Sequence, residues 1–92
     1  MILLTLNQIT ILQQSNVLVF YKKHYANDYY GVRAINPNIT FLDILLELNK
    51  PNGNLYKFVG VIDSLIRIRL FEQLSDLLNV DYNVIYDLWL KK

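Results

Sequence analysis

The chain predicts an α+β fold class: a small antiparallel β-sheet, built from an N-terminal strand plus a β-hairpin, followed by three helices, the last two in a helix-turn-helix-like corner. Three observations predict it. Val17–Tyr25 (VLVFYKKHY) and Tyr29–Ile35 (YYGVRAI) are runs of β-branched and aromatic residues, parted by Ala26, Asn27 and Asp28. From Phe41 onward the apolar residues recur at helical spacing instead. Asn79 then falls between two apolar-patterned stretches, at a point where a tight turn wants a left-handed residue.

Taken in order, Ile2 to Leu12 mixes an apolar run with alternation, as at Ile9, Thr10 and Ile11, and reads as the first strand. The hairpin follows with a three-residue loop. With Tyr25 opposite Tyr29, Lys23 faces Gly31, Tyr21 faces Arg33 and Val19 faces Ile35 on one side of the sheet. Leu18, Phe20, Tyr30, Val32 and Ala34 then form the core side. Asn36-Pro37-Asn38 ends the strand, and Thr40 to Asp43 has capping-box spacing for a first, mostly buried helix through Leu48. Asn49-Lys50-Pro51-Asn52-Gly53 stops that helix.

Asn54 is placed to cap a long helix from Leu55 to Leu78, by the recurrence of Leu55, Phe58, Val59, Ile62, Ile66, Leu70 and Leu74. The rival reading makes Leu55 to Ile62 a strand and starts the helix after Asp63, because Gly60 inside a helix costs about 1 kcal/mol relative to alanine. The last helix runs from Tyr82 to Lys91 with Asp81 as its cap. Leu74, Leu78, Val80, Ile85 and Leu88 take the inward positions of the corner.

The 92 residues suffice for one domain, 1–92. A net charge of +1 provides no global field to steer the chain to nucleic acid or an anionic membrane. There is no cysteine and one histidine, which argues against disulfide scaffolds, zinc and haem, so no metal and no cofactor is expected. MILLTLNQITILQQ has neither the basic start nor the unbroken apolar core of a signal peptide, and no apolar run is long enough to span a membrane. A soluble protein of the cytoplasm, or of host cytoplasm or virion if viral, is the expectation. The wealth of Asn, Ile, Lys and Tyr fits AT-rich codons and hints at a virus or mobile element.

Two surfaces could carry function. In the corner, the outward positions of the last helix are Asp81, Tyr82, Asn83, Tyr86, Asp87 and Leu90, none of them basic. Asp81 and Asp87 would repel a phosphate backbone, whereas Tyr82, Tyr86, Asp87 and Leu90 suit a protein partner or self-association. On the hairpin, Tyr21, Lys23, Tyr25, Tyr29 and Arg33 could stack bases and meet phosphates of a single strand. Tyrosine equally suits a half-exposed strand with no ligand. Val61 and Ile68, opposite the main face of the long helix, suggest contact on two sides, and Arg69 has Gln73 and Asp76 near it on a helix edge.

For catalysis there is little. His24 has no nucleophile at motif spacing, the serines sit in no elbow motif, and the glycines are single rather than clustered after a strand. The function expected is a non-catalytic protein–protein interaction protein, an accessory subunit, inhibitor or structural component. The alternative is a small nucleic-acid-binding protein, using the corner on duplex DNA or the tyrosine face on single strands.

Overall fold

The computed structural model describes residues 2–17, 19–22, 29–32, 38–60, 62 and 64–90, with 19–22 and 29–32 described as backbone. Its elements are α1 (Leu6–Gln14), β1 (Val19–Lys22), β2 (Tyr29–Val32), α2 (Phe41–Asn49), a 3-10 turn (Leu55–Lys57), α3 (Ser64–Leu78) and α4 (Tyr82–Leu90). The fold class is therefore a correction. The body of the protein is helical, and the expected α+β domain, with an antiparallel sheet for the helices to pack on, is overturned.

The first strand is the root of that correction, since Ile2 to Leu12 contains α1. Thr5-Leu6-Asn7-Gln8 is a capping box: the Thr5 hydroxyl accepts from the Gln8 N–H at 3.2 Å, and Gln8 Oε1 accepts from the Thr5 N–H at 2.9 Å. Two unpaired N–H groups at the helix start are thereby satisfied, and Leu12 is fully buried. Without that strand there is no three-stranded sheet, and two short paired segments have no independent stability.

The hairpin as expected is also corrected. β1 and β2 are antiparallel neighbours, but Val19 lies opposite Val32 and Lys22 opposite Tyr29, not Val19 opposite Ile35. Residues 23–28, including the expected three-residue loop, lie outside the described residues. At the base of this excursion the chain closes on itself. Asn16 bridges Thr40, the Val17 N–H donates to the Ile39 carbonyl at 2.9 Å, and the Phe41 N–H donates to Ser15 at 3.0 Å. The end of α1 is thus held beside the start of α2, where Thr40 and Asp43 form a second capping box.

The expected helix from Leu55 to Leu78 starts only at Ser64. Asn54 caps the 3-10 turn instead, its side chain accepting from the Tyr56 N–H at 3.0 Å. Leu55 and Val59 are still buried, so the apolar recurrence reported burial correctly and backbone conformation wrongly. The rival's strand over 55–62 is not formed at 55–57 either, although its helix start after Asp63 matches the observed boundary.

α3 supplies the centre of the core through Ile66, Leu70, Phe71, Leu74 and Leu78, met by Leu12 of α1, Ile44 and Leu45 of α2, and Ile85 of α4. It ends in a Schellman turn. Asn79 has φ 55°, its N–H donates to the Asp76 carbonyl at 3.2 Å, and the Val80 N–H reaches back to Ser75 at 3.1 Å. The Leu78 carbonyl takes its hydrogen bond from Gln8 Nε2 at 3.1 Å. One amide therefore closes the start of α1 and the end of α3. Asp81 then caps α4, accepting from the Asn83 N–H at 2.8 Å.

Glu47 is the one carboxylate buried among the described residues, 2 % exposed. Its Oε1 accepts from the Asn54 N–H at 2.9 Å, Lys50 Nζ lies 3.1 Å from Oε2, and Lys57 Nζ lies 3.5 Å from Oε1. The hydrogen bond from Asn54, followed by that from Lys50, holds its pKa at about 2 against an ordinary 4.5. The carboxylate ties the 50–57 loop to α2.

Two outcomes are expected. Because the folded pKa of Glu47 is depressed, its contribution is complete above pH 4.5 and is lost as pH falls toward about 2. Thermal melts across that window should show Glu47→Gln less stable than the parent by about 1.5–3 kcal/mol at neutral pH, with the gap closing in acid. An unchanging gap would remove the charge from the explanation. Phe71→Ala, at a fully buried ring, should cost about 3–5 kcal/mol in urea unfolding.

Candidate protein-binding edge

α4 buries Ile85 and Leu88 against the body. Helical spacing leaves Tyr82 and Tyr86 one turn apart on its flank, and their rings stack with centroids 6.0 Å apart and 19° between planes. Tyr82 also meets Phe71 at 6.3 Å, and Phe71 meets the edge of Trp89 at 5.9 Å. The tyrosines are therefore seated on the core rather than standing free. From α3, the Arg67 guanidinium lies 5.2 Å from the centre of the Tyr86 ring. Its Nε is buried with no hydrogen-bond acceptor among the described residues.

These side chains line a shallow groove of about 450 Å³ between α3 and α4, bounded by Arg67, Ile68, Glu72, Tyr82, Asn83 and Tyr86. A second hollow, about 310 Å³, lies between the 53–56 segment and the end of α4, lined by Gly53, Asn54, Leu55, Tyr56, Trp89 and Leu90. The four residues expected to bind protein are thus distributed. Tyr82 and Tyr86 share the groove, Leu90 stands 60 % exposed at the second hollow, and Asp87 is exposed and lines neither.

The charge around this edge is acidic. Glu72, Asp76, Asp81 and Asp87 are all exposed, and the sequence has no lysine or arginine from Leu70 to Leu90. Held there, a phosphate backbone would meet Arg67 in the groove but carboxylates around it. Ile68, expected on a second contact face, is 37 % exposed at the groove, while Val61 lies outside the described residues. Arg69 is half-buried on its flank of α3.

Of the tyrosine face, Lys23, Tyr25 and Arg33 lie outside the described residues, as does His24. Tyr21 lies opposite Tyr30, and Tyr29 opposite Lys22, so the register expected to put Tyr21 and Tyr29 on one side is not the one formed. Among the described residues no group of three His, Cys, Asp or Glu could hold a metal ion, and no helix is long and apolar enough to cross a membrane. Sequence reasoning missed Arg67, whose role depends on a ring nineteen residues away, and Trp89 and Tyr56, which line one hollow that no spacing announces. Comparison with family models, curated proteins and solved structures gives no match.

The edge separates by stability. Tyr86→Ala removes a stacked ring and the face under Arg67, and should cost about 1–2 kcal/mol in thermal unfolding. Leu90→Ala should stay within about 0.5 kcal/mol of the parent. Equal losses for the two would show that Leu90 is part of the core.

Proposed function

We propose that the protein is a non-catalytic protein–protein interaction protein, an accessory subunit, inhibitor or structural component, whose contact surface is the α3/α4 edge. The observation that carries this reading is Leu90, a large apolar side chain 60 % exposed beside a hollow, with the Tyr82 and Tyr86 rings in a groove on the same helix. Tyrosine and arginine are the residue types on which interface energy concentrates. Arg67 adds a reason of its own, since an acceptor on the partner would complete its Nε. The acidic rim favours a protein surface, another copy of the chain included, over nucleic acid.

The test is the solution mass by light scattering over a range of concentration, with and without an oligonucleotide. The expected result is a mass above the monomer without nucleic acid, reduced toward the monomer by Leu90→Asp, with circular dichroism unchanged. A monomer that gains mass only with the oligonucleotide and loses it in added salt would overturn the proposal in favour of nucleic-acid binding.

A further inference from the structure

The turn after α2 reads Lys50-Pro51-Asn52-Gly53, and of the ten asparagines in the chain Asn52 alone is followed by glycine. That dipeptide has a chemistry of its own. The backbone nitrogen after an asparagine can attack its side-chain carbonyl carbon. The new N–Cγ bond forms as the Cγ–Nδ2 bond breaks, the backbone proton leaves with ammonia, and a five-membered succinimide remains. Water opens the ring at either carbonyl, giving aspartate or isoaspartate, with no change of oxidation state. Glycine favours the first step because no Cβ shields its nitrogen and its backbone reaches conformations closed to other residues. Asparagine is accordingly among the thermolabile residues.

Asn52 is exposed, so water has access. The folded turn opposes cyclisation. The Gly53 N–H, which carries the attacking nitrogen, donates to the Lys50 carbonyl at 3.2 Å. Among the described residues only Asn79 has positive φ, so the turn keeps Asn52 and Gly53 out of the left-handed region. Glu47 then pins both ends, holding the Asn54 N–H at 2.9 Å and Lys50 Nζ at 3.1 Å. Opening the turn means breaking contacts of a buried carboxylate.

We propose that Asn52 is a site of spontaneous deamidation, and that Glu47 gates it by holding the 50–54 turn closed. The product changes its surroundings. It adds a carboxylate to a turn whose Lys50 already serves Glu47. Isoaspartate also routes the main chain through an extra carbon just before Gly53 and Asn54, which line the hollow beside Trp89 and Leu90. The proposal stands whatever binds at that hollow.

The test incubates the purified full chain at neutral pH and physiological temperature, and follows Asn52 by peptide mass mapping with chromatography that separates isoaspartate. A peptide spanning residues 49–55 supplies the ungated rate. Asn52 in the parent protein should convert more slowly than in the peptide, and Glu47→Gln should speed it by about tenfold, the worth of a charge-assisted hydrogen bond of ordinary strength. Lys57→Ala, at a solvent-facing lysine, should give a smaller acceleration, and it decides the matter if Glu47→Gln is unfolded by circular dichroism. A parent that converts at the peptide's rate, or variants that convert no faster than the parent, would overturn the gate. An Asn52 still intact in parent and variants after the peptide has reacted would overturn the site.

Discussion

Among the described residues, α3 carries the face around which the core is built. Ile66, Leu70, Phe71, Leu74 and Leu78 are all 2 % exposed or less, and no single neighbour could cover a face that broad. α4, α1 and β1 pack on it, α2 completes the same core from its place against α1 and α4, and none of those nine-residue helices is long enough to be stable alone. Their helicity depends on the common core. A chain of this size buries a smaller fraction of its surface than a larger domain, so each helix counts heavily in the balance.

That economy explains why the polar groups are used so closely. Gln8 serves two helix termini with one side chain, and the Schellman turn at Asn79 pairs the Ser75 and Asp76 carbonyls at the end of α3. Glu47 is the costlier device, since a buried carboxylate must recover its lost hydration. It does so with one backbone N–H and two lysines. In return the loop carrying Leu55 is fixed over α2, and a wall of the hollow beside Leu90 is formed.

The sequence was most legible where a helix terminus is decided by neighbouring residues. Thr40 with Asp43, Asn79 and Asp81 all act locally, and the structure uses each as its spacing suggests. At α1 the alternation of Ile9 and Ile11 competes with a capping box at Thr5 and Gln8, and the capping box decides the conformation. Ile11 proves 42 % exposed, so the alternation recorded no buried strand face. The false start of the long helix has another cause. Leu55 and Val59 are buried at helical spacing in a segment whose backbone is anchored by Asn54 and Glu47, a contact seven residues apart that periodicity does not see. At the binding edge, the outward residues of α4 were readable from their spacing, whereas the Arg67 contact and the two hollows arise from tertiary packing.

The bridge between Asn16 and Thr40 bears on what it costs this chain to close on itself. Backbone pairing at Ser15–Phe41 and Val17–Ile39 joins the end of α1 directly to the start of α2. Closing a loop costs only about 0.6 kcal/mol more for each doubling of its length. Loop closure by itself therefore ties the pairing of Ser15–Val17 with Ile39–Phe41 only weakly to the number of residues that separate them.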